Sequence, residues 1–434
     1  MQQRATPAAS PADPGWAHLP AATDAAHPAG SWLLQMGFDL WIRMCYDREI
    51  VMPENFALAP GSLIASNHQR DVDGPMLGVV LVQRRGLHFR NKLPFYATRE
   101  DLFRPGILAR LTVHWPRPLS ALLGHVSLAW FFPLGHAEPM RRVREFTVGE
   151  ALHALADAGL DDADCSKLLN ARGQRELDAR HAPLEACIER ANHPALEKWW
   201  GLRRLKVATL EVITPAFRAT VDAQLAHFAR RLDHGDCVYF SPEGTISMDG
   251  HFGRTRAGFF RLAHLAAKPP WIQPMALGYD TLAAGRSRVV VRIGERFRAD
   301  TTLHRRAFDA ALRGTILRLA PVTPSHLLAR WLLHGPRVFT RDEFAGWMAR
   351  CCTALRVAHP SMDPLFAHRG VPCIARSRLR WLERKHLIAR RGGGFENTCP
   401  RDAAPGWHSC AGIARYLDNN LGDLVPGVDR VLPC

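Results

Sequence analysis

The chain contains no CxxC pair and no grouping of cysteine with histidine at zinc-ligand spacing; its ten cysteines are scattered, and Cys351 and Cys352 are the one adjacent pair. That spacing excludes a zinc ribbon or finger and suggests mostly reduced, buried thiols in a cytosolic setting. No stretch approaches the roughly 20 consecutive apolar residues that cross a bilayer. The nearest, 119–134 (LSALLGHVSLAWFFPL), is interrupted by Gly124, His125 and Pro133 and reads as a core or interfacial element. Residues 1–30 lack the apolar core of a secretory signal, and their Ala/Pro/Asp content predicts a disordered leader. Acidic side chains are in deficit, 41 Asp and Glu against 56 Lys and Arg, for a formal net charge of +15. Such an excess calls for an anionic partner, which charge alone does not choose among a bilayer surface, a phosphorylated substrate and nucleic acid.

At 434 residues and 47% hydrophobic, the chain buries a full core and divides into two or three domains. The run 32–46 (WLLQMGFDLWIRMCY) predicts a helix with Trp32, Leu33, Met36, Leu40 and Ile42 broadly on one side and an Asp39–Arg43 pair elsewhere. Strands are predicted at 63–66, 87–90, 207–213 (VATLEVI), 237–240, 272–277 and 288–293, with a helix over 217–232. Strands alternating with helices indicate an α/β domain, a mixed sheet flanked by helices, over 31–305. Within it, about 107–205 reads as a helical insertion, where the cations Arg141, Arg142 and Arg144 and the pair Trp199–Trp200 suit a headgroup interface or a core. From 322 to 434 the pattern turns to short helices, and 376–397, a helix, LIARR and the glycines Gly392 to Gly394, predicts a small winged-helix-like domain.

The sharpest chemical signal is NHQRDVD at 67–73, after a short apolar strand. His68 and Asp73 would lie about 140° apart on a regular helix, but a turn leading into a helix lets them meet. An imidazole held by a carboxylate has a fixed tautomer and a stabilised charged form, as a base acting on an alcohol requires. The second signal, FSPEGT at 240–245, sets Glu243 and the flexible Gly244 at a strand end, where they can hydrogen-bond a polar substrate while the backbone approaches it.

In this order, the two segments resemble the first and third motifs of the glycerolipid acyltransferase family, which includes lysophosphatidate and glycerol-3-phosphate acyltransferases. The similarity extends to FYATREDLFRPG at 95–106, to Arg256-Ala257-Gly258 and to Gln273-Pro274-Met275-Ala276, and it covers roughly 50–300. The resemblance implies an O-acyltransferase of phospholipid synthesis. His68 would be the general base and Asp73 its orienting partner, with Glu243, Gly244, Thr245 and Arg256 about the acceptor. It implies acyl-CoA or an acyl-carrier protein as donor, a lipid acceptor, and neither a metal nor a cofactor. Work at the cytoplasmic face of an anionic membrane, as a peripheral protein, follows from the insertion and the charge.

Ile246 and Ser247 stand where the family usually continues with a phosphate-binding arginine, so a non-phosphorylated lipid or amino-lipid acceptor is the alternative substrate. The family's middle motif ends a strand with an arginine, for which this sequence offers three candidates, Arg218 after VATLEVI, or Arg141 or Arg142 after FFPLGHAEPM. The region after 322 is similar to the one that follows the catalytic domain in glycerol-3-phosphate acyltransferases. Its cations Arg376, Arg378, Arg380, Arg384, Lys385, Arg390 and Arg391 keep a second class open, a nucleic-acid-binding regulator with a non-catalytic α/β domain. The ordered set His68, Asp73 and Glu243 favours the enzyme, so nucleic acid is not the expected partner.

Overall fold

In the computed structural model the described residues are 28–85, 88–103, 130–142, 146–160, 163–177, 182–191, 204–359 and 361–434. Residues 1–27 of the predicted leader, most of the apolar run 119–134 and the pair Trp199–Trp200 lie outside them, while the leader's last three residues, 28–30, begin a helix instead. The described residues form two compact units, one within 98–133 and 137–227, the other within 28–97, 134–136 and 228–434. The boundary expected near 322 separates no compact units, because the C-terminal segment shares a unit with the sheet.

In the larger unit, helix α1 (Pro28–Cys45) leads into strand β1 (Tyr46–Val51), and β2 (Ser62–Ser66) leads into α2 (Asp73–Val82). Strand β3 (Phe95–Arg99) contributes its first three residues here, followed by β4 (Val238–Tyr239), α3 (Ala257–Leu265), β5 (Trp271–Asp280), β6 (Ser287–Ile293) and β7 (Phe297–Arg298). Sheet order is β1-β6-β5-β2-β4-β3, and every neighbouring pair is parallel except β5 with β6. The result is the expected α/β architecture, a mixed, mostly parallel open sheet flanked by helices. Central strands of such a sheet are covered on both faces and therefore read as continuous apolar runs. All five residues of β2 are buried, as are all of β5 after Trp271.

Helix α1 departs from its expected faces. Ile42 is buried beside Gln35 and Asp39, whereas Leu33, Leu40, Trp41 and Met44 are exposed. The reason is electrostatic, for buried Asp39 takes Arg43 at 2.9 Å and Arg48 at 2.8 Å and turns that face inward.

After α4 (Arg305–Leu319) and the buried α5 (Pro324–His334) come β8 (Val338–Phe339), α6 (Arg341–Ala358), α7 (Val371–Arg384), β9 (Ile388–Arg391) and β10 (Gly394–Asn397). β9 and β8 flank β10 in an antiparallel three-stranded sheet, so a helix followed by a hairpin stands where the glycines predict one. The last long helix, α8 (Cys410–Leu424), packs along α5 in a core shared with Ala276 and Leu282 from the sheet side.

The smaller unit is built around Leu152, Leu155, Leu169, Leu184, Ile213 and Phe217. Its helix Val148–Ala156 starts with a capping box between Thr147 and Glu150. Residues 207–213 are not a strand but the start of a helix, Val207–Asp233. Ile213, Phe217, Val221, Leu225, Phe228 and Leu232 are buried at three- and four-residue steps, and that periodicity overrides the β-branched composition of VATLEVI.

Candidate active site

Strand β2 delivers the first motif to the sheet's end. Asn67, the first residue past β2, is clamped to the neighbouring strand, its Nδ2 donating to Leu277 O at 2.8 Å and its Oδ1 accepting from Leu277 N at 2.8 Å. The chain then turns, with Asp73 N donating to Arg70 O at 3.0 Å, and Asp73 opens α2. His68 and Asp73 meet through this turn, Nδ1 lying 3.0 Å from Oδ2.

Asp73 is fully buried, and four donors reach its carboxylate. Besides His68, Gln69 N donates to Oδ2 at 2.6 Å and Arg70 N at 2.9 Å, while the Tyr279 hydroxyl donates to Oδ1. A carboxylate held this way stays in one orientation and accepts a hydrogen bond from Nδ1–H, which leaves the lone pair on Nε2. The His68 side chain is 22% exposed, enough for a substrate to reach that nitrogen.

The second motif follows β4. Glu243 is buried, and both its oxygens are occupied by backbone amides, Oε1 by His68 N at 3.0 Å and Oε2 by Gly253 N at 2.7 Å. Burial pushes its carboxyl up to about 7 against the pull of those amides. Ser247 N, two residues past the second motif, donates to His68 O at 2.9 Å, so the segment 243–247 grips the histidine backbone on both sides. Glu243 thereby positions His68 rather than presenting a free oxygen to an acceptor. Gly244 has φ +63°, and a Cβ there would stand 3.2 Å from Arg256 Cγ. Arg256 is exposed, and its Nε donates to Glu243 O at 3.3 Å; Thr245 is half-buried.

Arg218, Arg141 and Arg142 belong to the other unit. Arg218 is exposed on Val207–Asp233, whereas Arg141 directly follows the strand Ala137–Met140. Arg141 is buried on Glu100, with donor distances of 2.6 and 2.7 Å, and reaches Glu150 at 2.9 Å; Arg142 is half-buried. Both carboxylates make Arg141 a structural cation of that unit.

Several contacts about the histidine carry no motif signal. Tyr279 comes from the end of β5, and Arg70 lies over two rings, 3.9 Å from the Trp407 centroid and 5.0 Å from that of Tyr279. From α8, Asn419 Nδ2 donates to Asp249 O at 2.8 Å, Asn420 Nδ2 to Gly250 O at 3.0 Å, and Asp423 accepts from Phe252 N at 2.6 Å. Gly250, at φ +96°, was the available clue, since a Cβ there would sit 2.0 Å from Tyr416 O. Among the described residues no group of three or more His, Cys, Asp or Glu side chains is placed to hold a metal ion. Compared with known proteins, the chain matches no family model and no curated protein.

Proposed function

We propose that the chain is an O-acyltransferase that moves a fatty acyl group from a thioester, acyl-CoA or acyl-carrier protein, onto a hydroxyl of a glycerolipid precursor. The observation that carries this reading is the His68–Asp73 contact, 3.0 Å long, made through Nδ1 of a ring that is 22% exposed. Nε2 takes the acceptor's hydroxyl proton as its oxygen attacks the thioester carbonyl. The tetrahedral intermediate then expels the thiolate, the carbon–sulfur bond breaks, and the imidazolium returns the proton to sulfur. Asp73 stabilises the transient imidazolium, and Glu243 fixes the backbone from which the ring projects.

Peripheral work at a membrane surface fits the same reading. Helix α1 exposes Leu33, Leu40, Trp41 and Met44, an apolar stripe of the kind that lies in a headgroup layer. Among the described residues no helix is long and apolar enough to cross a membrane.

The test is thiol release from an acyl-CoA, and from an acyl-carrier protein, by wild type and His68→Ala against glycerol 3-phosphate, lysophosphatidate and non-phosphorylated lysolipids. Removing a general base lowers the rate by roughly 10²–10⁴. The fold is expected to persist, because the bond to Glu243 comes from the His68 backbone. A His68→Ala protein as active as wild type refutes the assignment. A second reading rests on α7, which exposes Arg376, Arg380 and Arg384 at four-residue steps beside the β9–β10 hairpin. Duplex binding that weakens steeply with salt and vanishes when these are neutralised, in a protein that releases no thiol, would favour it.

A further inference from the structure

Resting on that reading, we infer that Arg70 receives a phosphate group of the acceptor, so that the acceptor is anionic. Arg70 is the one lysine or arginine in 67–73 and 240–247, the segments that surround His68. Its backbone N–H is bound to Asp73, so its main chain is fixed within the same turn as the catalytic ring. Its guanidinium lies 3.9 Å from the Trp407 ring centroid and 5.0 Å from that of Tyr279, and the residue is half-exposed. Trp407 is itself braced, 4.6 Å from Tyr416 and 6.1 Å from Tyr279 between ring centroids, so the aromatic shelf is rigid.

Among the described residues no carboxylate or carbonyl oxygen accepts a hydrogen bond from the Arg70 side chain. The acid beside it in space, Asp73, already receives His68, Tyr279 and two backbone amides. Two other arginines of the region have partners, Arg256 donating to Glu243 O and Arg313 to Phe252 O and Asp423. A guanidinium supported on an aromatic face keeps its N–H edge directed outward in a planar fork, the geometry that matches two oxygens of a phosphate. The cation absent after Thr245 is thus supplied from the histidine loop, and Tyr279 ties it to the base, since the ring beneath Arg70 carries the hydroxyl that holds Asp73.

A phosphate also occurs on a coenzyme A donor, and the experiment separates the two sources. Wild type, Arg70→Gln and Arg70→Lys are assayed with 1-decanoylglycerol and its 3-phosphate as acceptors, then with acyl-CoA and the acyl thioester of N-acetylcysteamine as donors. For Arg70→Gln, the kcat/KM ratio of phosphorylated to neutral acceptor is expected to fall at least tenfold, with the donor ratio held within threefold. Arg70→Lys, which keeps the charge without the fork, is expected to fall between wild type and Arg70→Gln. Calorimetric titration with 1-decanoylglycerol 3-phosphate, without donor, is expected to show at least tenfold weaker binding to Arg70→Gln. A protein that binds the phosphate ester through Arg70 but transfers no acyl group overturns the acyltransferase reading alone. An unchanged acceptor ratio, or unchanged binding where no acceptor is turned over, overturns the Arg70 assignment, as does a loss confined to the donor ratio.

Discussion

Replacing Glu243 by Gln tests the second motif through proton linkage. The carboxyl is held at about 7 in the folded chain against an ordinary value of 4.5, because burial disfavours its charged form. The folded state therefore keeps a proton that the unfolded state has already released, and this group's contribution to stability is complete below 4.5 and lost as pH rises through 7. Each tenfold step in proton affinity is about 1.4 kcal/mol, so the whole loss is roughly 3 kcal/mol, of which about 2–3 kcal/mol falls between pH 5 and 8.5. Glutamine does not titrate and removes this slope. Wild-type and Glu243→Gln stabilities measured by urea unfolding at pH 5 and 8.5 are expected to diverge by that amount, with the variant gaining on wild type as pH rises. Other titrating groups are common to both proteins and cancel in the difference. Parallel stabilities at the two pH values would refute the argument that Glu243 is buried and proton-linked.

Two further substitutions address the scaffold. Asp73→Asn keeps the shape but cannot accept from His68, Gln69, Arg70 and Tyr279 together; kcat in thiol release is expected to fall by about 10²–10⁴ and unfolding free energy by about 1–3 kcal/mol, and a variant above a third of wild-type kcat contradicts the role given to Asp73. Gly250→Ala forces a Cβ to 2.0 Å from Tyr416 O at φ +96°, so a loss of roughly 3 kcal/mol or more in stability is expected, read as a lower melting temperature, and an unchanged melting temperature contradicts the close approach of α8 to this loop.

What the sequence reveals of this fold depends on how local the cause is. Strands β2 and β5 are buried on both faces, and their predominantly apolar runs announce them. His68 and Asp73 are legible because their meeting needs only a turn within seven residues, 67–73. VATLEVI misleads because β-branched residues and Pro215 imitate a strand and its end, while the burial that decides for helix repeats from Ile213 to Leu232, a longer window than the strand pattern samples. On α1 the apolar positions do not say which side faces inward, because that side is set by Asp39 pairing with Arg48 from the following strand. Glu243 is legible as a polar residue at a strand end, but its partners are not, since both amides that occupy it are main-chain groups without side-chain identity.

The most distant contributions have no local signature at all. Tyr279 holds the dyad's carboxylate from a strand 206 residues away, and Asn420 reaches Gly250 across 170. These separations give the C-terminal segment a specific meaning. Gly250, Phe252 and Gly253 lie on one loop, and α8 holds the first two while Glu243 holds the third. Glu243 in turn holds His68, so force on α8 reaches His68 through the Glu243 carboxyl, which accepts from the Gly253 and His68 amides. A tail appended for recognition alone would leave the motif loops complete without it. Here the loop that receives Glu243 has its far side closed by Asn419, Asn420 and Asp423, and Trp407 supplies the face on which Arg70 lies. The segment after 400 accordingly completes the loops about His68 and Glu243, and the two motifs, each local in sequence, do not describe that contribution.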